Sequence, residues 1–186
     1  NLTYHYPTKE HLLAVLVEML CEFQMKLIDY EANQELDSIM SLCIELMTVA
    51  SACEQNEVAQ DFFISTFQSQ MCLKQLRKSH VERAKRIFSE QCKDWTDEQF
   101  IAAEILVQGI DYATIMAVDT PVSLDMRISG ALKQILSIYN IPEESIKENI
   151  EKVLKMDCRK TSKRVLREFV SYVETTIDDA FEEMQN

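Results

Sequence analysis

Glycine is nearly absent from this chain: Gly109 and Gly130 are the two in 186 residues, against a usual share of roughly 7%. Strand-rich and doubly wound folds use glycine for tight turns, bulges and phosphate-cradling loops, where a positive φ or a close backbone approach is needed. Two glycines cannot furnish many of these, and a mostly helical fold remains. The length suffices for a substantial core, since a chain of this size buries roughly 70% of the surface it exposes when unfolded. Its longest apolar run, Leu12 to Val17, is six residues, too short for a bilayer span or a signal-peptide core.

Helical periodicity recurs along the whole chain. Pro7 and a capping Thr8 precede Glu10, and Leu12, Leu16, Leu20, Phe23, Leu27 and Tyr30 follow at steps of three and four, which predicts one long helix over 8–31. The segment 34–53 is apolar on nearly every face (Leu36, Ile39, Met40, Cys43, Ile44, Leu46, Met47, Val49, Ala50), so it belongs at the centre. After the polar break Glu54 to Glu57, spacing predicts a short and a long helix as far as about Cys92, without marking where they divide. Thr96, followed by Asp97 and Glu98, starts a helix over 96–118. Another spans 123–140, a short one begins at Pro142, and a last one runs from about Arg159 to Met184. The expected fold is an all-α bundle of eight or nine helices. Each glycine sits mid-helix, where it costs about 1 kcal/mol relative to alanine; close helix–helix approach is the usual compensation.

Charge and chemistry narrow the function. Nineteen bases against 31 acids give a net charge of −12, which disfavours unspecific attraction to DNA or anionic membranes. The six cysteines (Cys21, Cys43, Cys53, Cys72, Cys92, Cys158) are ten or more residues apart and read as reduced core thiols of a cytoplasmic protein. Three histidines, His5, His11 and His80, form no H-E-x-x-H or paired Glu-x-x-His motif, and no nucleophile elbow or phosphate loop occurs. No catalytic constellation, metal set or cofactor motif is therefore expected. The run Lys74, Arg77, Lys78, Arg83, Lys85 and Arg86, interspersed with acids, reads as a solvated surface.

The first thirteen residues, Asn1-Leu2-Thr3-Tyr4-His5-Tyr6-Pro7-Thr8-Lys9-Glu10-His11-Leu12-Leu13, resemble the end of the helix-turn-helix of TetR-family (tetracycline-repressor-type) transcription regulators. There an aromatic-rich recognition helix ends in an aromatic–His–aromatic run, followed by a lysine-bearing turn and a long connecting helix. The resemblance implies that Tyr4, His5 and Lys9 contact the DNA backbone, which positions a protein without reading sequence. Residues 1–7 would be the remnant of the DNA-binding domain, whose leading helices are missing. Residues 8–186 would form the effector-binding and dimerisation domain, with 8–31 as the connecting helix, 96–140 as the dimer helices and 142–186 as extra C-terminal helices.

On that reading the protein is a bacterial homodimer that binds operator DNA when complete and takes a small, apolar effector. The effector pocket would be lined by Met40, Cys43, Met47, Phe63, Phe67 and Met71, a methionine and aromatic set that adapts to apolar ligands; the same residues also read as plain core. The dimer interface would use Phe100, Ile101, Ile105, Gly109 and Ile110 with Leu132, Ile135, Leu136 and Tyr139, which equally suit an intrachain core. The competing function is an all-helical interaction or scaffold domain with no DNA role.

Overall fold

The computed structural model describes residues 8–32 and 38–183, with only the backbone described at 27–32 and 179–183. Tyr4, His5, Leu27, Tyr30 and Met184 thus lie outside the described side chains. Among the described residues there are eight helices and no strand: α1 Lys9–Ala32, α2 Ser38–Gln55, α3 Glu57–Gln68, α4 Gln70–Ile87, α5 Asp97–Met116, α6 Leu124–Ile138, α7 Glu143–Leu154 and α8 Cys158–Glu183. The chain is an all-helical bundle.

Short polar side chains set most of the helix starts, because the first N–H groups of a helix have no partner inside it. The Thr8 hydroxyl accepts from the His11 amide at 3.2 Å. Thr96 and Gln99 form a reciprocal capping box on α5, and Ser123 caps α6. The boundary that periodicity leaves undefined falls at Ser69, whose hydroxyl accepts from the Cys72 amide to open α4. The same hydroxyl donates to Glu10 of α1 at 2.7 Å. The helix expected to reach residue 140 ends at Ile138, because Asn140 takes a left-handed φ of 58°. The Ile141 amide then reaches back to the Leu136 carbonyl at 3.1 Å, closing the helix end as glycine more often does.

The largely apolar α2 does run through the middle, packing against α1, α3, α5, α6, α7 and α8. Two separate cores result. The larger joins Cys43, Met47 and Ala50 of α2 with Phe88, Phe100, Ile128, Leu132, Leu136, Tyr139 and Val153. At its heart the Phe88 and Tyr139 rings stack at 4.0 Å and 7°. The smaller core joins only Val17 and Cys21 of α1 to Cys72 and Leu76 of α4. None of the six cysteines is in a disulfide, and all but the half-buried Cys158 are buried.

Two expectations are corrected. No atom comes within 4 Å of a Cβ built at Gly109 or Gly130; neither glycine serves a close approach within the chain, and both lie on exposed faces. The basic run on α4 is not one solvated surface either. Arg83 is buried and paired with Glu45 of α2 at 2.5 Å. Its neighbours scatter to Gln108 (from Arg77, 3.1 Å) and Asp97 (from Lys85, 2.6 Å).

Candidate functional site

A large hollow lies on one side of α2. Ser41, Glu45, Thr48 and Ala52 recur at spacings of four, three and four, so they share one face of that helix. They form the floor of a cavity of about 730 Å³, walled by Phe23 and Gln24 of α1, Phe62 and Phe63 of α3, and Val165, Leu166 and Phe169 of α8. Small side chains keep it open, namely Ala52, Ala59, Ser41 and Ser162. At its rim stand exposed Val58 and Val170 and the Arg164–Glu168 pair at 3.2 Å, so the cavity meets the surface there. A volume of this size falls in the range of roughly 300–1,000 Å³ typical of small-molecule sites.

One end of the cavity is polar. Gln24 donates through Nε2 to Glu45 Oε1 at 2.9 Å, and Arg83 donates to the other oxygen of Glu45. Behind this pair lies a second, smaller void of about 60 Å³, lined by His80, Arg83, Glu104, Asp111 and Tyr139. It has room for a few waters, at about 10–15 Å³ each, and not for a drug-sized molecule. Gln24, Glu45 and Phe63 face both spaces.

Burial governs the charges of this cluster, because a low-dielectric site disfavours the ionised form of each group. Burial, with the Arg83 charge added, pushes His80 down to about 3, leaving its ring neutral at pH 7. Burial and the Glu104 and Glu45 carboxylates push Asp111 up to about 8. Glu104 is raised as well: burial outweighs both the hydrogen bond that Tyr139 donates to it and the Arg83 charge. Burial also opposes the Arg83 charge, but Glu45 outweighs it and holds the guanidinium above its ordinary pKa. The result is one tight ion pair, Arg83–Glu45, surrounded by acids that tend to keep their protons.

The structure disperses the six residues expected to line a pocket. Phe63 lines both spaces, and Phe67 lines only the small void while packing edge-on against Tyr112 at 5.3 Å. Cys43 and Met47 are packed into the main core, Met40 lies half-buried against it, and Met71 is exposed. Of the six, only Phe63 reaches the cavity, because spacing along a largely apolar helix does not tell which side is hollow. Sequence reasoning missed Gln24, Ser41, Glu45, Thr48 and the whole α8 wall. The signal was available in part: three polar side chains aligned on one face of an otherwise apolar helix.

The expected dimer residues also divide. Phe100, Leu132, Ile135, Leu136 and Tyr139 are buried in the chain's own core, and Ile110 packs against it; these six are corrected to core residues. Ile101, Ile105 and Gly109 face outward with Ala102, Leu106, Tyr112 and Ala113, an uncharged stripe along α5 in which Leu106 is 59% exposed. Lys9 is exposed at the start of α1, while Tyr4 and His5 lie outside the described residues.

Among the described residues no group of His, Cys, Asp and Glu is arranged to hold a metal ion, and no helix is long and apolar enough to cross a membrane. Compared with known proteins, the chain matches no family model, no curated protein and no solved structure.

Proposed function

We propose that this chain is the effector-binding and dimerising part of a TetR-like transcription regulator, in which a small molecule in the α1–α2–α3–α8 cavity sets the tilt of α1. The observation that carries the reading is the cavity of about 730 Å³ whose wall includes Phe23 and Gln24 of α1, the helix that begins at Lys9. A guest in that space presses on the one helix that leads to the DNA-contacting end.

The attachments of α1 suit such a movement. Of its buried side chains, Val17 and Cys21 belong to the small separate core with Cys72 and Leu76, and Phe23 packs against Phe169 and Tyr172 of α8. Beside the part-buried ties Glu10–Ser69 and Gln24–Glu45, its polar ties to α8 are exposed: Tyr172 accepts from Lys26 at 3.3 Å and donates to Glu22 at 2.9 Å. Exposed polar contacts contribute little each, so they can be remade at small cost. A ligand shifts the tilt only as far as it binds one geometry more tightly than the other.

The outward stripe of α5 supports dimerisation, since contiguous exposed apolar surface of this kind marks interaction sites. Gly109 at its middle leaves space for a second helix to approach. Light scattering of the purified chain is expected to give a dimer, and Ile105→Glu with Leu106→Glu a folded monomer of unchanged helicity. The DNA role is tested by expressing the protein from its whole reading frame. A regulator then retards a fragment of the promoter region beside its own gene and releases it when the cavity is filled; a scaffold domain retards none.

A further inference from the structure

We propose that the outer face of the corner between α7 and α8 is a nucleic-acid-binding surface, which grips the phosphate backbone of a duplex without reading its sequence. The proposal goes beyond the TetR-like reading and stands apart from it, because it uses none of Tyr4, His5 and Lys9. It starts from how unevenly the chain is charged. Residues 152–167 hold seven cations, all exposed, against one acid, Asp157. That stretch carries +6 in a chain of −12, so the rest carries −18. The three-residue turn 155–157 joins the two helices and sets Lys152 and Lys155 at the end of α7 next to Arg159 at the start of α8. Farther along α8, Lys160, Lys163 and Arg167 fall on one arc of the helix. They point away from Ser162, Val165, Leu166 and Phe169 on the cavity wall, and Arg164 stands beside them at the rim.

Local stability does not account for this arrangement. Arg159 and Lys160 stand in the first turn of α8, which holds no acid and where the helix dipole disfavours positive charge. Lys160–Arg164 and Lys163–Arg167 are like-charge pairs one turn apart, which cost stability as well. Among the described residues, Arg164 alone of the seven is ion-paired, to Glu168 at 3.2 Å, although Glu148 and Glu151 stand one turn before Lys152 and Lys155. Cations held together at a local cost and left unpaired fit an anionic partner. The residues 152–167 include no aromatic side chain on which the bases of a single strand would stack. Met156 is their one exposed large apolar residue, too little to anchor in a bilayer, and a flat anionic membrane would also face the acidic remainder. A flexible acidic chain would have to be ordered on binding. A duplex is rigid and carries about one charge per 1.7 Å of its axis, so several phosphates lie along the roughly 10 Å from Lys160 to Arg167. Salt limits the reach of the distant acids to about 8 Å, and the patch acts on a partner that touches it alone.

The test measures fluorescence anisotropy of a labelled DNA duplex of about 20 base pairs and arbitrary sequence, titrated with the full chain. Saturable binding is expected at 50 mM NaCl, weakened at least about a hundredfold at 200 mM, as the release of counterions from four or more phosphates requires. The triple variant Lys160→Glu, Lys163→Glu and Arg167→Glu is expected to lose at least about tenfold in affinity with an unchanged thermal melt. Lys74→Glu, Lys78→Glu and Lys93→Glu, the same change of net charge at exposed positions elsewhere, are expected to stay within about threefold of the wild type. Should the charge reversal unfold the chain, the triple glutamine variant at 160, 163 and 167 gives the same comparison. No binding at 50 mM NaCl overturns the proposal, as does a folded patch variant that binds as well as the wild type or a control triple that loses as much. Tighter binding to phosphatidylglycerol vesicles or to polyglutamate than to the duplex overturns the choice of nucleic acid as partner.

Discussion

The two sides of α2 are built in opposite ways. On one side, Cys43, Met47 and Ala50 meet Phe88, Leu132, Leu136 and Tyr139 in a core where side chains are at most 2% exposed. On the other side, Ser41, Glu45, Thr48 and Ala52 of the same helix face a hollow of about 730 Å³. Interiors normally reach the density of organic crystals, and an empty apolar cavity costs stability in proportion to its volume. A chain able to stack Phe88 on Tyr139 at 4.0 Å has not failed to fill its other half for want of large side chains. Small residues stand there beside aromatic ones, and the space suits a guest.

The comparison breaks or sharpens under substitution. The largest effect is expected from Arg83→Met, which strands Glu45 among Glu104 and Asp111. Removing one partner of a buried pair costs about 3–5 kcal/mol, measured by urea unfolding. The pair at the rim of the hollow provides the contrast: Arg164→Met is expected to change stability by no more than about 0.5 kcal/mol. Similar losses at both sites would erase the distinction.

Next comes the packing itself. Leu136→Ala opens a cavity in a fully buried site and is expected to lose about 2–5 kcal/mol. Leu166→Ala, on a wall that already borders open space, is expected to lose less than about 2 kcal/mol, because part of the contact is absent from the start. Chevron or equilibrium denaturation of both variants checks the ratio.

The buried acids give the packed side a pH dependence whose sign follows from proton counts. Asp111, pushed up to about 8, binds a proton in the folded state over a range where the unfolded chain has lost it, so stability falls as pH rises towards 8. His80, pushed down to about 3, does the reverse between about 3 and 6.5, where stability rises with pH. The two oppose each other below 6.5, and from there to about 8 the decline stands alone, at no more than about 1.4 kcal/mol per pH unit for one proton. Asp111→Asn is expected to flatten it in thermal melts over that range. A wild-type protein whose stability rises from pH 6.5 to 8 would contradict this account of the cluster.

The smallest effect is the most diagnostic of the hollow. Added methylenes in a packed core cost about 1–3 kcal/mol, and Ala131→Leu on the filled side is expected to follow that rule. Ala52→Leu points into the cavity and is expected to change stability by less than about 1 kcal/mol in either direction. A loss as large as that of Ala131→Leu would mean that the space is not available.

The helices were legible in the chain because each rule involved is local. Glycine scarcity removed sheets, period-3.6 spacing marked the elements, and Thr96 with Asp97 and Glu98 announced a helix start that is present, where the structure adds a capping box with Gln99. Ser69 was harder, as one serine in a polar–apolar run does not reveal that its hydroxyl will cap α4 and donate to Glu10. The site was legible least of all. Whether Met47 or Thr48 faces a hollow depends on what stands opposite, and the opposite wall, α8, lies more than a hundred residues further along the chain. Arg83 misled for the same reason: only the fold brings Glu45 to it. In the α5 stripe, periodicity named Ile101 and Ile105 together with Phe100, which differ by one position and by facing solvent or core.

The central claim, that the hollow side of α2 is a chamber for an apolar guest, is tested most directly by titrating Nile red into the chain and into Ala52→Trp. The expected result is a saturable fluorescence gain at one dye per chain, weakened at least about tenfold in a variant that still unfolds cooperatively. A wild-type protein that gives no saturable signal, or a folded Ala52→Trp that binds the dye as well as the wild type, would contradict it.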